Sequence, residues 1–199
     1  MLPILVLLSA ALALALPPGS PAHAQDPSRS LSGDGAAAAG SLDRAARLDA
    51  LFAALAASDG PADARTLATA IWVVWFKAPD DEAQALFNEA LVRRRAGDFD
   101  GAIAVLDTLT QRWPDYAEGW NQRATLFYLQ GRFALSLADV SRVLALEPRH
   151  FGALTGRGLI LFRQGRRDAA NRAILEALRV HPFLAERALL DPGYGEQPL

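Results

Sequence analysis

Between residues 82 and 180, apolar positions recur at the spacing of amphipathic α-helices, and each helical stretch ends beside a glycine or a proline. The pattern predicts six helices in this part of the chain, at about 82–96, 99–112, 117–130, 133–146, 151–164 and 167–180. Because only short segments separate consecutive helices, each pair is predicted to form a helix hairpin.

The hairpins follow a repeat of 34 residues. A shift of this length superposes three glycines on one another and three prolines on one another: Gly97, Gly131 and Gly165, then Pro114, Pro148 and Pro182. A glycine after a helix can take the left-handed conformation that caps it, and a proline prevents a helix from continuing. Each repeat unit is therefore predicted to be one hairpin, with the glycine between its two helices.

Small residues recur where the two helices of a hairpin approach each other, namely Ala90, Ala124 and Gly158 in the first helices and Ala102, Ser136 and Ala170 in the second. Together with the period and the closing proline, they resemble the tetratricopeptide repeat, most closely through Trp120, Ala124, Phe127 and Pro148 of the middle unit. The resemblance covers residues 83–182 in three units, 83–116, 117–150 and 151–182. It implies an all-α superhelix, or solenoid, whose first helices line a concave face that holds peptides or a partner helix.

A further helix pair is predicted upstream, at about 42–57 and 62–77, within a segment 41–80 that we interpret as a degenerate repeat capping the stack. Its run 71–76 is apolar on every side, so it must be covered by residues 42–57 or by another molecule. Burial within the stack is the favoured interpretation. At the other end, residues 183–199 are expected to form a short capping helix and a disordered tail.

The N-terminus carries the features of an export signal. Residues 2–16 are uncharged and apolar but too short to span a bilayer, and Ala22-His23-Ala24 matches a signal peptidase site. We expect residues 1–24 to be a cleaved signal peptide, 25–40 a flexible linker, and the mature protein to be periplasmic with no membrane span. A signal retained as an anchor is the alternative.

Composition excludes several classes of function. A formal net charge of −2 provides no polybasic field for nucleic acid, and the absence of cysteine excludes thiol chemistry and thiolate metal sites. The histidines of the mature chain, His150 and His181, lie in predicted turns without the spacing of metal ligands. We therefore expect no catalytic residue, metal or cofactor, and no enzymatic activity.

By the resemblance, a partner-binding groove is formed by residues of the first helices: Phe87, Leu91, Arg94, Arg95, Asn121, Thr125, Tyr128, Thr155, Leu159, Phe162 and Arg163. Apolar, polar and arginine side chains in one groove suit a peptide with apolar anchors and an acidic group. The alternative is that the aromatic side chains are ordinary packing residues and the arginines a solvated face.

Charge is distributed unevenly along the chain. Residues 151–182 carry six basic and two acidic side chains, whereas residues 41–82 carry four basic and seven acidic ones. The third repeat should therefore attract an acidic partner or the acidic end of a second copy. A shared helical register also predicts an ion pair between Glu89 and Arg123.

The predicted function is a protein-interaction scaffold or assembly adapter whose partner is a protein or peptide. An accessory subunit of an envelope enzyme complex and a self-associating structural protein, possible as a homo-oligomer, are the alternatives.

Overall fold

The computed structural model describes the backbone of residues 33–194 and the side chains of residues 42–194. This part of the chain is all-helical, without strands. Its eight α-helices are α1 (Gly33–Ala56), α2 (Pro61–Phe76), α3 (Asp81–Arg95), α4 (Phe99–Arg112), α5 (Ala117–Leu129), α6 (Phe133–Leu146), α7 (Phe151–Arg163) and α8 (Arg167–Val180). None of the helices in this span is long and apolar enough to cross a bilayer. The predicted signal peptide lies outside the described residues.

The six repeat helices have the predicted bounds to within about one residue, and all three interhelix glycines are left-handed, with φ of +78°, +72° and +73°. The turn at Gly97 satisfies backbone groups at the ends of both helices. The Asp98 N–H donates to the Arg93 carbonyl at the end of α3, and the Asp98 carboxylate accepts the Gly101 N–H at the start of α4. The predicted hairpin geometry is confirmed.

The first helix begins earlier than predicted. Residues 33–40, interpreted from the sequence as part of a flexible linker, belong to α1. Four consecutive alanines at 36–39 explain the difference, because alanine has the highest helix propensity and needs no buried partner to favour a helix.

Helix α2 buries most of its apolar run inside the chain, as predicted, and leaves Val73 exposed. Ile71, Val74 and Trp75 are buried, and they pack with Phe52 of α1. The same cluster also contains Phe151 at the start of α7, and Val180 and Leu184 pack against it. The N-terminal helix pair therefore packs against the third repeat as well as covering its own apolar face.

The contacts of this pair with the turn between the second and third repeats are specific. Asp49 of α1 forms an ion pair with Arg149 at 2.7 Å, and the Arg149 guanidinium lies 4.4 Å from the centroid of the Phe52 ring. The ring of Trp75 stacks on His150, with centroids 4.0 Å apart and planes 8° from parallel. The N-terminal helix pair thus contacts the turn that joins the second repeat to the third.

The predicted ion pair between Glu89 and Arg123 is wrong. Arg123 donates two hydrogen bonds to the Asp139 carboxylate, both at 2.8 Å, and a third to Asp107 at 2.7 Å, whereas Glu89 pairs with Arg93 on its own helix. The side chain of Arg123 points toward α4 and α6, and Glu89 has a closer cation one helical turn away.

The C-terminal end forms a 3₁₀-helix, Ala185–Leu189, in place of the expected two-turn helix. Residues 191–194, expected to be part of a disordered tail, are ordered against α8. The Asp191 carboxylate accepts a hydrogen bond from Asn171 and pairs with Arg167, and the Tyr194 hydroxyl donates to Asp168. These polar partners on α8 fix a segment that has little apolar surface of its own.

Replacing Trp75 by alanine should destabilise the protein by about 3–5 kcal/mol, because it empties a buried site shared by α1, α2 and α7. Urea denaturation measures the change. The control is Val73→Ala on the exposed side of α2, which should change stability by no more than about 0.5 kcal/mol. Equal effects of the two substitutions would contradict the docked position of the helix pair.

Candidate binding site on the concave face

A cavity of about 440 Å³ lies between α2 and the faces of α5 and α7 that point toward it, and residues 181–186 form a further wall. We call it the covered cavity, because α2 lies over a face that an isolated set of repeats would leave open. Its volume falls in the range of roughly 300–1,000 Å³ that is usual for ligand pockets.

The structure divides the predicted groove residues into separate groups. Six of them line the covered cavity: Arg94, Asn121, Thr125, Tyr128, Thr155 and Leu159. Leu91 is half-buried and packs on the core of the first repeat. Arg95, Phe162 and Arg163 lie outside the cavity.

Phe87 is a core residue, contrary to its predicted place in the groove. Its side chain is 1% exposed, and its ring makes edge contacts with Phe76 and Tyr116 at centroid distances of 5.4 and 5.5 Å. The end of α2 and the turn before α5 both pack against this side chain and cover it, so no partner can reach it.

A second surface follows the C-terminal ends of α3, α5 and α7, where one repeat period places equivalent residues in rows. We call it the rim strip. It consists of the exposed row Arg95, Leu129 and Arg163 and the half-buried row Arg94, Tyr128 and Phe162. Leu129 is 44% exposed between the two flanking arginines of its row. The sequence interpretation missed Leu129, although its 34-residue spacing from Arg95 and Arg163 could have identified it.

A buried hydrogen-bond network runs from the wall of the cavity to the start of α7. Arg94 Nη1 donates to Gln122 Oε1 at 2.7 Å, and Gln122 Nε2 donates to Glu118 Oε1 at 2.6 Å. The same carboxylate accepts Asn121 Nδ2 at 3.0 Å and, on its other oxygen, His150 Nε2 at 3.0 Å. Three donors thus hold the buried Glu118 carboxylate in place.

His150 caps α7 with its other ring nitrogen. Nδ1 accepts the Ala153 N–H at 3.1 Å, so the proton lies on Nε2, which donates to Glu118. The sequence interpretation placed His150 in a turn, which is where it lies, but missed its cap and its place under Trp75. No group of acidic or histidine side chains suited to a metal ion occurs in the described part of the chain.

Burial changes the ionisation of groups along the cavity. It lowers the pKa of the Arg94 guanidinium, because the cation loses part of its hydration, although the nearby Glu118 carboxylate opposes this effect. Burial also lowers the pKa of His181 and raises the pKa of the Glu186 carboxyl. Burial therefore makes the charged form of each of these two groups less favourable than it is in water.

A family model described as "Tetratricopeptide repeat" matches the chain at residues 51–117, 87–148 and 121–185. A Rhizobium etli protein named TPR repeat-containing protein is 35% identical, over 68% of this chain and 67% of its own length. Tetratricopeptide repeat protein 36 of Bos taurus is 34% identical over 59% of this chain and 64% of its own length. DnaJ homolog subfamily C member 3 of Mus musculus is 29% identical over 44% of this chain and 17% of its own length. The chain thus spans about two thirds of the first relative and less of the others.

Replacing Glu118 by glutamine should destabilise the protein by about 1–3 kcal/mol. The new amide NH₂ group would face one of the three donors that the carboxylate accepts, so two donors would oppose each other in a buried site. The midpoint of chemical denaturation measures this change. The control is Glu89→Gln, which alters an exposed pair and should cost no more than about 1 kcal/mol. Wild-type stability of the Glu118 variant would show that the network does not hold α3, α5 and the start of α7 together.

Proposed function

The chain belongs to the tetratricopeptide repeat family, and from this membership we propose that it is a non-catalytic assembly scaffold that binds an extended segment of a partner protein along the rim strip. Protein interaction is the general role of these repeats. The observation that carries the proposal is the exposed row Arg95, Leu129 and Arg163, one residue from each repeat.

The chemistry of the row favours a partner segment with an apolar side chain between acidic ones. Leu129, together with the half-buried rings of Tyr128 and Phe162, offers apolar area for an anchor. An arginine on either side of the leucine can bind a carboxylate through two parallel hydrogen bonds. The partner expected from the sequence, a peptide with apolar and acidic groups, fits this row.

A partner helix fits the concave face less well than an extended segment does. With its side chains an α-helix is about 10–12 Å across. Helix α2 already lies over α5 and α7, and the volume left beneath it is about 440 Å³. The proposed segment therefore runs along the rim, outside the region that α2 covers.

Export is the second part of the proposal. The apolar run at 2–16 and the small-residue site ending at Ala24 support cleavage and a periplasmic location. A scaffold in that compartment would act on envelope proteins.

A photo-crosslinker attached through a cysteine at position 129 should label the partner. Because the chain contains no cysteine, the Leu129→Cys variant carries the reagent at one site. Charge reversal of Arg95 and Arg163 to glutamate should reduce the adduct by at least about tenfold, since each reversal repels an acidic segment. Mass spectrometry of the adduct identifies the partner and its contact site.

Two controls match these variants. Leu135→Cys on α6 is 43% exposed and should give no partner adduct. Reversal of Arg166 and Arg172, exposed arginines on and beside α8, changes the net charge equally and should leave the adduct intact. Equal labelling from position 135, or labelling that survives reversal of Arg95 and Arg163, would refute the rim strip as the binding surface.

Cleavage after Ala24 is tested in the producing bacterium. The mature protein should begin at Gln25 and be released with the periplasmic fraction, whereas Ala24→Arg should leave a longer, membrane-retained form because the peptidase requires a small residue there. N-terminal sequencing and fractionation provide the measurement. A wild-type chain that retains Met1 or stays in the cytoplasm would refute the proposal.

A further inference from the structure

The covered cavity differs from the rim strip in its walls. On the α2 side it is lined by Trp72, and on the α7 side by Phe151 and Leu159. Aromatic and aliphatic walls around a limited volume suit the apolar body of a small molecule.

A buried hydroxyl in the wall lacks a partner. Thr155 is 7% exposed, lines the cavity, and its Oγ1 forms no hydrogen bond with any described group. The Oγ1 atom itself has almost no accessible surface, so a ligand oxygen or nitrogen reaches it only if the Thr155 side chain rotates toward the cavity. A buried hydroxyl without a partner is unfavourable, and such a rotation would give it one.

The cation in the wall is also available. Arg94 donates one Nη1 hydrogen bond to the Gln122 amide, and no carboxylate among residues 42–194 lies within salt-bridge distance of its guanidinium. Its burial weakens its hydration, which strengthens attraction to an anion. Arg65 of α2 adds a second positive charge to the lining.

The lining contains two arginines, Arg94 and Arg65, and one carboxyl group, that of Glu186. Burial lowers the pKa of His181 and raises the pKa of Glu186, because the charged form of each loses hydration. The Glu118 carboxylate lies behind the wall and is held by three donors. The arginines therefore decide the sign of the charge that a ligand should carry.

We propose that the covered cavity binds a small organic acid, a single carboxylate on an apolar body, with the carboxylate at Arg94 and the body against the wall that Trp72, Phe151 and Leu159 form together. The site lies beneath α2 and shares Arg94 and Tyr128 with the rim strip, whereas the exposed row Arg95, Leu129 and Arg163 lies outside it. The two proposals can therefore fail independently.

The wall also contains a position at which the cavity can be filled. A Cβ atom added to Gly156 would meet no heavy atom within 4 Å, although Gly156 lines the cavity. A larger side chain there would occupy ligand space without a clash at its Cβ, and replacing glycine inside a helix favours folding.

The test measures binding of 3-phenylpropionate and octanoate to the purified protein by calorimetry, with intrinsic tryptophan fluorescence as a second signal. The neutral 3-phenylpropanamide keeps the apolar body and should bind at least about tenfold more weakly than the acid. Arg94→Gln should weaken binding of the acid by about ten- to hundredfold and leave binding of the amide unchanged. Gly156→Leu should abolish binding of all three probes.

Arg172→Gln is the matched control, since it removes an exposed arginine of α8 that does not line the cavity and should leave the affinity for the acid unchanged. Thermal melting establishes whether each variant is folded. Gly156→Leu tests the site even if Arg94→Gln does not fold. Equal binding of acid and amide, no binding of either acid, or unchanged binding to folded Gly156→Leu would overturn the proposal. So would a peptide ending in phenylalanine that bound more tightly than 3-phenylpropionate, because the site would then belong to a partner segment.

Discussion

The stack of Trp75 on His150 is the contact on which the arrangement of this chain depends. The ring of His150 is fully buried, caps α7 through Nδ1 and donates through Nε2 to Glu118 of α5. One imidazole thus joins the second repeat, the third repeat and the N-terminal helix pair. Both of its nitrogens have partners, so its burial leaves no polar group unsatisfied, and its face is free to accept the indole of Trp75.

The docking of α2 gives the concave face two regions with different properties. Beneath the helix lies a partly enclosed volume with a half-buried arginine and, in its wall, an unpartnered hydroxyl. Beyond it, the C-terminal ends of the first helices remain exposed and carry Leu129 between Arg95 and Arg163. Arg94 and Tyr128 border both regions. An open row suits an extended protein segment, whereas an enclosed volume suits a ligand small enough to be surrounded.

The sequence predicted what is local and periodic. The left-handed glycines and the bounds of the repeat helices depend on neighbours close in sequence, and the 34-residue spacing repeats that information three times. The docking of Trp72 and Trp75 on residues 150–152 joins positions far apart in the chain, and no period relates them. Phe87 and Arg123 were misassigned for the same reason: the residues that bury the first and pair with the second lie on other helices. The orphan hydroxyl of Thr155 likewise follows only from three-dimensional packing.

Apolar burial alone does not explain why α2 docks where it does, because the run 71–76 could be covered by many apolar surfaces. Gly152 supplies the missing selectivity. A Cβ at this position would lie 2.8 Å from Trp72 Cη2, so the indole fits only where α7 lacks a side chain. The equivalent positions of the other repeats are Gln84 and Glu118, both with side chains in place. A glycine for Trp72 and a capping histidine for Trp75 occur together at the start of α7, and this combination directs the two indoles there, while Phe76 at the end of α2 packs on Phe87 of the first repeat.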